Sequence, residues 1–551
     1  MQIVIPMSGF GERFRRAGYE MPKPLIAVEG KPIIQHVVEL FPGDHDFVFI
    51  CNEDHLANAK FGMRQILEAT GVRHVIHPVA PHKLGPVHAV LSASHLFDLE
   101  AQTIVNYADF TCLWDFDAFC EMASNSNIDG VLPAYKGFHP HSGGTTNYAY
   151  IKEAGGVVEA VREKQPFTDE KTQEFASTGT YYFRNAKLML EYLELQVDAG
   201  VDVGGEFYVS SAFDLMARDN KQVRVFEIDH FMQWGTPEDL AEYEFWSNQF
   251  TLLNQLGPES LPADEVDNGL LLASGIGSRF TSKGYLRPKP LLEVGGQTIL
   301  EQVRKALKPD AYCEISSLVS SGIGKFVEAE NLGRSVLIRE LSGGQADSAK
   351  VLVDQMGSDR FGSFTVFPTD TLFAHRQDKK TQIGETPVRE KLTVWAYLPN
   401  SFNQKNPENF GWIGIDDSGV WSTVKSPPVR KECAVMSGAF TFSSQDLFYE
   451  LYKGVSESHG KVNGERYLDS MVAVAQDRGV DVQIFVPTFT QSLGTPYEFE
   501  SFRYWQSCFD QWTSHPYSLN QDPFVLKENV DSARAELRLT KHHPDEWGKN
   551  D

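Results

Sequence analysis

The sequence has little cysteine, no long apolar run and no excess of positive charge, and each absence argues against a class of protein. Its six cysteines are scattered over 551 residues without Cys-x-x-Cys spacing, which fits free thiols in a reducing cytoplasm better than a disulfide scaffold or zinc site. No segment resembles a signal peptide or membrane span. The net charge of -24 argues against broad nucleic-acid binding, because a polyanion would be repelled. We expect a cytoplasmic protein without nucleic-acid or membrane partners.

Two widespread catalytic signatures are also missing. The sequence contains no loop that ends in Gly-Lys-Ser or Gly-Lys-Thr and no recognisable Ser/His/Asp triad. His74, His77, His82 and His88 lie close together in the chain, but they lack the spacing of a zinc ligand set. These absences leave small anions as the ligands to consider.

A glycine-rich loop follows the first apolar run. Ile3-Val4-Ile5 is typical of a buried strand, and Gly9-Phe10-Gly11-Glu12-Arg13 comes soon after it. Glycines let successive backbone amides approach one anion without a Cβ in the way. Arg13 and the later Lys23, within Pro-Lys-Pro-Leu, add cationic side chains. The pattern predicts a phosphate-binding loop.

The same motif occurs a second time. Gly275-Ile-Gly277-Ser-Arg279 follows an apolar run, and Lys289 again stands within Pro-Lys-Pro-Leu. A length of 551 residues suggests two or three domains, and the repeat favours two large ones. We predict a first nucleotide-binding domain at 1–250, a linker at 251–268, a diverged second domain at 269–515 and a polar tail at 516–551.

Strands alternate with helices in the first half. Residues 32–40 have helical apolar spacing, and residues 46–51 are typical of a buried strand. Such alternation predicts a mainly parallel sheet with ligands at the carboxyl ends of its strands. The predicted fold class is α/β, with two tandem Rossmann-like, doubly wound domains.

An aspartate stands at the end of a predicted strand in each half. Asp109 follows the apolar run 103–107, and Asp370 follows 364–367. A single aspartate after a strand is more often a turn or cap residue. Because it accompanies the glycine loop in both copies, we interpret Asp109 as a ligand for a divalent cation held against a triphosphate.

Three further segments carry candidate substrate contacts. Lys164 follows a charged strand, Ser177-Thr178-Gly179 precedes an aromatic strand, and Glu206 precedes a helix. Small residues allow a polar ligand to approach the backbone closely. The alternatives are a simple tight turn for residues 177–179 and a helix cap for Glu206.

Taken together, these motifs and a closing Gly235-Thr-Pro-Glu-Asp-Leu resemble those of the nucleotidyltransferases that make sugar nucleotides. The resemblance implies a Rossmann-like fold, a requirement for Mg²⁺, and the joining of an NTP (CTP, UTP or another) to a phosphorylated small-molecule acceptor with loss of pyrophosphate. The spelling is closest to members of surface-polysaccharide pathways, including cytidylyltransferases.

The resemblance also assigns roles to individual residues. It implies that Gly9, Gly11 and Arg13 hold the nucleotide phosphates, that Lys23 offsets charge at the α-phosphate and that Gly85 with its neighbours lines the base. Asp109 would bind Mg²⁺ and Lys164 the acceptor phosphate. Phe10 and Glu12 of the same loop are further predicted contacts to the nucleotide, and Ser177, Thr178, Gly179 and Glu206 stay the candidate contacts to the substrate. In the second copy Gly275, Gly277, Arg279, Lys289 and Asp370 would take the matching places.

Two departures from the family pattern are visible. Many relatives have a second metal-binding aspartate two residues before the closing glycine, where this chain has Gln233, with Asp229 nearby. In the second half Ser492 stands at that place, and Lys425 stands near the position of Lys164. The number of metals is therefore open.

The sequence leaves several alternatives open. The first half is expected to be catalytic, and the second is either another catalytic unit, giving a bifunctional enzyme with two acceptors, or a non-catalytic copy. A different reading is a sensor or scaffold that binds nucleotides or nucleotide sugars without turnover. The base, the acceptor and the oligomeric state, including a homo-oligomer, are not determined by the sequence.

Overall fold

The fold comes from a computed structural model, which describes residues 1–143, 148–257, 266, 268–308, 310–357, 362–375, 390–417, 419–459 and 461–539. The chain divides into two compact units, unit 1 at Met1–Glu244 and unit 2 at Phe245–Asp551. Each is described by itself.

The strands of unit 1 are β1 Gln2–Met7, β2 Ala27–Val28, β3 Lys31–Pro32, β4 Asp46–Asn52, β5 His74–Val79, β6 Thr103–Asn106, β7 Phe110–Leu113, β8 Gly130–Tyr135, β9 Ala149–Ala154, β10 Val157–Glu163, β11 Phe175–Ser177, β12 Thr180–Phe183, β13 Val223–Glu227 and β14 His230–Gln233. Its helices are α1 Glu12–Arg16, α2 Ile33–Glu39, α3 Glu53–Ala57, α4 Met63–Ala69, α5 Pro86–Ser92, α6 Phe116–Ala123, α7 Ala186–Asp198 and α8 Val209–Arg218, while α9 Pro237–Leu256 begins in unit 1 and ends in unit 2. Short 3-10 helices lie at Lys23–Leu25, Ala59–Phe61, Ser94–Leu96, Pro140–Gly143 and Lys171–Gln173.

The main sheet of unit 1 has the strand order β11-β9-β10-β13-β8-β12-β6-β1-β4-β5. Strands β1, β4, β5 and β6 pair in parallel, as do β8 and β13. These parallel pairs and the helices between them confirm the α/β class.

The rest of that sheet is antiparallel, so the sheet is mixed rather than mainly parallel. Strand β12 runs antiparallel between β6 and β8, and β9 and β10 form a hairpin. Gly155 and Gly156 connect that hairpin with φ of 59° and 77°. A two-residue turn with positive φ at both positions matches the twist of antiparallel strands, which explains the local departure from parallel pairing.

The core of unit 1 lies between its sheet and helices α5, α7 and α8. Val4, Val105 and Leu132 from the sheet are fully buried with Met189 and Phe213 from the helices. Because β1 is buried along almost its whole length, the loop that follows it starts from a fixed point.

The strands of unit 2 are β15 Asn268–Ala273, β16 Glu293–Val294, β17 Gln297–Thr298, β18 Tyr312–Leu318, β19 Arg334–Ile338, β20 Phe364–Pro368, β21 Thr371–Ala374, β22 Lys391–Tyr397, β23 Trp412–Asp416, β24 Gly419–Thr423, β25 Ala434–Phe442, β26 Asp481–Phe485 and β27 Phe489–Ser492. Its helices are α10 Ser278–Thr281, α11 Ile299–Arg304, α12 Ile323–Ala329, α13 Gln345–Gln355, α14 Ser401–Lys405, α15 Gln445–Gly454, α16 Ser470–Asp477, α17 Pro496–Gln511 and α18 Val530–Leu539, with a π-helix at Val455–His459. Its 3-10 helices are Lys289–Leu291, Val319–Ser321, Pro407–Asn409, Leu519–Gln521 and Lys527–Asn529.

Unit 2 repeats the topology of unit 1. Its main sheet runs β19-β18-β15-β20-β25-β22-β26, which matches β5-β4-β1-β6-β12-β8-β13 in order and in strand direction. The small sheet β21-β27 likewise matches β7-β14. The predicted pair of Rossmann-like domains is therefore confirmed as a fold class.

The predicted boundaries at 250 and 269 stay predictions. Helix α9 continues through residue 256, six residues into the predicted linker, and residues 258–265 and 267 lie outside the described part. In the predicted tail, Tyr517, Phe524 and Val525 are buried, and α18 follows. Residues 516–539 thus contribute to packing, because apolar side chains without regular spacing still bury; residues 540–551 are outside the described part.

Across the described ranges, each helix is too short or too polar to cross a lipid bilayer.

Candidate active site

A cavity of about 660 Å³ lies at the carboxyl end of β1 and β6 in unit 1. The structure brings every site residue predicted for the first half to its wall: Gly9, Phe10, Gly11, Glu12, Arg13, Lys23, Gly85, Asp109, Lys164, Ser177, Thr178, Gly179 and Glu206. Residues from seven separate stretches of sequence thus face one space large enough for a small-molecule ligand.

The glycine loop forms the wall nearest β1. Gly11 has φ 62° and ψ 32° and precedes α1, whose Phe14 is buried and fixes the helix to the core. Around Gly9 and Gly11, no atom lies within 4 Å of the position that a Cβ would occupy. The backbone of this loop is therefore open to a ligand.

Lys23 and Asp109 form an ion pair in the cavity. The distance from Lys23 Nζ to Asp109 Oδ2 is 2.9 Å, and the two side chains are 26% and 29% exposed. The 3-10 turn Lys23–Leu25 positions the lysine, and Trp234 N donates to the backbone oxygen of Asp109 at 2.8 Å. The pair places one cation and one anion at the end of β6, both accessible to a ligand.

Gly85 brings a second loop against the segment that carries Glu206. Its φ is 87° and ψ is 176°, and a Cβ at this position would lie 2.6 Å from both N and O of Phe207. Phe207 N donates to Leu84 O at 2.9 Å, and Val87 N donates to Phe207 O at 3.2 Å. Only glycine fits this conformation at this distance.

Lys164 also lines the cavity. Its φ of 59° is unusual for a lysine, and its ammonium lies 2.5 Å from Tyr208 Oη and 4.2 Å from the ring centroid. The Tyr208 hydroxyl in turn donates to Glu206. No side chain caps helix α8, so Glu206 does not serve as the helix cap that the sequence left as an alternative.

Glu163 adds a second carboxylate beside Lys164. Its Oε2 accepts from Ser210 Oγ at 2.6 Å. Burial raises the pKa of Glu163, although the hydrogen bond from Ser210 and the charge of Lys164 act in the opposite direction. This side of the cavity therefore combines one ammonium group with two carboxylates and a tyrosine.

Residues 177–179 form a tight turn between β11 and β12 and also line the cavity. Gly179 has φ 101°, and its N donates to Ser177 Oγ at 3.2 Å. Thr178 Oγ1 donates to Pro133 O at 3.1 Å. The tight turn is thus observed and also forms part of the cavity wall, while contact of these residues with a substrate stays a prediction.

A buried polar network next to Asp109 was not predicted. Gln233 Oε1 accepts from the Tyr148 hydroxyl, and Gln233 Nε2 donates to Asp239 Oδ2 at 2.6 Å. Asp239 Oδ2 also accepts from Thr236 N at 2.9 Å, and Asp239 Oδ1 lies 3.0 Å from His141 Nδ1. Although burial opposes its ionisation, hydrogen bonds from these neighbours lower the pKa of Asp239.

This network lies where many relatives have a second metal-binding aspartate and this chain has Gln233. Asp229 precedes β14 at the end opposite Gln233 and is exposed, outside the cavity wall. Both oxygens of Asp239 are engaged. Asp239 lies three residues after Thr236, and Asp239 N donates to Thr236 Oγ1 at 3.1 Å, as at a helix N-cap.

The carboxylate of Asp109 suits a magnesium ion that arrives with phosphates. Within the described ranges, no group of three or more His, Cys, Asp or Glu side chains is arranged to hold a metal alone. Mg²⁺ commonly takes one or two carboxylates and completes its coordination with phosphate oxygens and water. Asp109, facing the glycine loop across one cavity, fits that requirement.

The second-half residues form a matching arrangement within unit 2. Gly277 has φ 65° and precedes α10, which carries Arg279. Lys289 Nζ lies 2.7 Å from Asp370 Oδ2, and although burial opposes ionisation, Lys289 lowers the pKa of Asp370. Gly275 has no atom within 4 Å of a Cβ position.

Comparison with known proteins finds one family model and several curated relatives that are similar to the first half of the chain. Residues 3–245 match the family model described as Nucleotidyl transferase. The bifunctional protein GlmU of Ralstonia pickettii (strain 12J) is 26% identical over 240 residues, 43% of this chain and 48% of that protein. GlmU of Desulfotalea psychrophila is 26% identical over 229 residues, 41% of this chain and 62% of that protein. The chain spans about half the length of the curated relatives it matches.

Among solved structures, a nucleoside-diphosphate-sugar pyrophosphorylase from Vibrio cholerae RC9 is 20% identical, with a TM-score of 0.36, and the match covers 44% of this chain and 98% of that one. The family model itself spans β1 to α9 and so contains the whole cavity wall. The match to the Nucleotidyl transferase model thus covers nearly all of unit 1.

Proposed function

We propose that unit 1 is a Mg²⁺-dependent nucleotidyltransferase that transfers NMP from an NTP to a sugar 1-phosphate or another small phosphorylated acceptor and releases pyrophosphate. The observation that carries the proposal is that the glycine loop, the Lys23–Asp109 pair and Lys164 line one cavity. A phosphate loop, an acid for a metal and a separate cation in the cavity provide places for a nucleotide and a second phosphate.

The nucleotide phosphates would bind at the loop from Gly9 to Arg13. The open backbone of Gly9 and Gly11 supports this assignment, since amide groups can then point directly at phosphate oxygens. Arg13 lies in the first turn of α1 and is exposed, so its guanidinium is available for bidentate binding of phosphate.

Lys23 and Asp109 would exchange partners when the nucleotide binds. Their 2.9 Å ion pair satisfies both charges in the free protein. With nucleotide present, Asp109 would hold Mg²⁺, which neutralises phosphate charge, and Lys23 would be released to the α-phosphate. Both charges are thus compensated in either state, which avoids an unpaired charge in a partly buried site.

The acceptor phosphate would bind at Lys164. An oxygen of that phosphate attacks the α-phosphorus of the NTP, the bond from the α-phosphorus to its bridging oxygen breaks, and pyrophosphate leaves with the electron pair. The attacking phosphate is already an anion, so the residues align the groups and stabilise charge, and a general base is not needed. Glu206 would bind polar groups of the acceptor beside Tyr208.

We further propose that the product is an activated precursor for capsule or another surface polysaccharide, with CTP, UTP or another NTP as donor. The support is the spelling of the first loop together with Pro22-Lys23-Pro24-Leu25. A cytidylyltransferase is one form of this proposal.

The test is pyrophosphate release by the full chain with Mg²⁺, crossing CTP, UTP, GTP, ATP and dTTP against sugar 1-phosphates and small phosphorylated amines or amino acids. A productive pair should be lost in Asp109→Ala, while Asp117→Ala, which removes an exposed acid on α6, should retain it. Comparison of Asp109→Ala with Asp370→Ala then assigns each product to a unit. Nucleotide binding without any pyrophosphate release across the grid would overturn the proposal in favour of a sensor or scaffold.

A further inference from the structure

Unit 2 repeats the site geometry of unit 1 as well as its topology. Gly277 and Gly11 have φ of 65° and 62°. The Lys289–Asp370 pair measures 2.7 Å where Lys23–Asp109 measures 2.9 Å. These equivalences concern backbone conformation and side-chain contacts, so they do not depend on the sequence motif alone.

The close approach at Gly85 is also repeated. Gly344 has φ 134° and ψ -177°, and a Cβ there would lie 2.5 Å from N and O of Arg466. Arg466 N donates to Gly343 O at 2.8 Å, and Ala346 N donates to Arg466 O at 3.0 Å. The second unit therefore holds its own loop against the segment that carries Glu465.

Lys425 occupies the place of Lys164. It has φ 48°, its ammonium lies 5.3 Å from the ring centroid of Tyr467, and it donates to Asn409 O at 2.5 Å. Burial lowers the pKa of Lys425, and the charges of Asp469, Arg279, Asp370 and Glu465 all act on it. The charged groups of unit 2 therefore converge around one lysine, as they do in unit 1.

The carboxylate near this lysine comes from a different position in the two units. In unit 1, Glu163 on β10 bonds to Ser210 on α8. At the matching positions unit 2 has Val424 and Asp469, and Asp469 is only 6% exposed. Burying a carboxylate is costly unless it is paired. A unit that no longer binds a ligand would gain nothing from keeping a buried carboxylate near its lysine. The presence of Asp469 therefore supports a ligand site in unit 2.

We infer that unit 2 carries a second substrate site, which binds the phosphates of a nucleoside triphosphate at Gly275–Arg279 and Lys289 and the phosphate of a second small molecule at Lys425. This inference takes its ligand class from the function proposed for unit 1, and it goes further in assigning a site to the half of the chain that the family model does not match.

The second site takes a different nucleotide or acceptor from the first. Where unit 1 has His88 packed on Phe207 with ring centroids 5.2 Å apart, unit 2 has Asp347 paired with Arg466 at 3.0 Å. Ser342 and Ser348 are also hydrogen-bonded there at 2.6 Å. Different hydrogen-bonding groups beside the loop at Gly344 change which ligand edge is accepted.

The experiment is calorimetric titration of the full chain with tripolyphosphate and Mg²⁺, a probe that contains the phosphates of an NTP without a base. Variants are the unit 1 pair Arg13→Ala and Lys23→Ala, the unit 2 pair Arg279→Ala and Lys289→Ala, and all four together. The control removes two other exposed cations of unit 2 in Lys325→Ala with Lys453→Ala. Circular dichroism and thermal unfolding establish that each variant is folded.

We expect two equivalents bound per wild-type chain and per control chain, one in each paired variant and none in the fourfold variant, with the affinity of each removed site at least about tenfold weaker. One equivalent in the wild type that is lost only with the unit 1 pair would overturn this inference and leave the proposed function standing. One equivalent that is lost only with the unit 2 pair would overturn the proposed function and leave this inference standing. No binding to any form would overturn both.

Discussion

The close approach at Gly85 gives the sharpest test of the site's construction. Gly85 has φ 87° and ψ 176°, a region that is essentially confined to glycine, and forcing another residue there costs about 1–3 kcal/mol. A methyl group would also lie 2.6 Å from the backbone of Phe207. To make room for the methyl group, the Gly85 loop must separate from Phe207. The two hydrogen bonds made by Phe207 N and Phe207 O are then lost, at a cost of about 0.5–1.5 kcal/mol each.

We therefore expect Gly85→Ala to lower the free energy of unfolding of unit 1 by about 2–6 kcal/mol, the sum of these costs. Urea unfolding measures the loss, and hydrogen exchange localises it, because the amides of Val87 and Phe207 should lose protection. Activity in pyrophosphate release should fall as well, since the loop positions Glu206.

Gly9→Ala is the matched control for this prediction. The position of its Cβ has no neighbour within 4 Å, so we expect a change in unfolding free energy within about 0.5 kcal/mol, together with weaker binding of tripolyphosphate. If Gly85→Ala were as stable as Gly9→Ala, with its amides still protected, the argument from the close approach would be refuted.

Four further outcomes are expected. Arg13→Ala should raise the KM for the NTP by about tenfold or more. The control Arg15→Ala removes an exposed arginine on the same helix outside the cavity wall and should leave the KM unchanged. Equal effects of the two variants would refute phosphate binding by Arg13. Tyr208→Phe should raise the KM for the acceptor by about tenfold with little change for the NTP, and steady-state kinetics with either substrate varied separates the two. Burial raises the pKa of Asp469 to about 6, above its unfolded value, so the folded state binds more protons than the unfolded state. The free energy of unfolding should therefore fall by about 3 kcal/mol as pH rises from about 4 to above 6. Urea unfolding across this pH range should show that Asp469→Asn lacks this decline. Asp469→Ser removes a negative charge that acts on Lys425 and should tighten the binding of inorganic phosphate at unit 2, and adding Val424→Glu should return the affinity to the wild-type value by rebuilding the unit 1 arrangement; no change in calorimetry would refute the exchange of carboxylates.

The site residues that can be predicted from the sequence are those that lie in short contiguous segments. The glycine loop and Lys23 lie within one segment, and Asp109 comes shortly after strand β6, so each is recognisable locally and the topology of parallel strands brings them together. The α/β class follows from the same local alternation. The antiparallel place of β12 does not, because it depends on pairing such as Thr180 with Asn106, across more than seventy residues.

The network around Gln233 shows why other site residues were missed. Tyr148 and Gln233 are 85 residues apart, and neither carries a motif of its own. His141 likewise belongs to no motif in the sequence, yet it lies against buried Asp239. Such contacts arise from the way β7 and β14 pair at the end of β6, so they can be identified only after the fold is known.

A comparison of the two units indicates what the fold preserves. His88 and Phe207 are replaced together by Asp347 and Arg466, and Glu163 and Ser210 are replaced together by Val424 and Asp469. At the first pair a contact between the two elements is kept, because the Asp347–Arg466 ion pair stands where two rings pack in unit 1. At the second pair the carboxylate is kept but is carried by the other residue, Asp469. Compared pair by pair, unit 2 keeps the charged groups around Lys425 that the proposed second site requires.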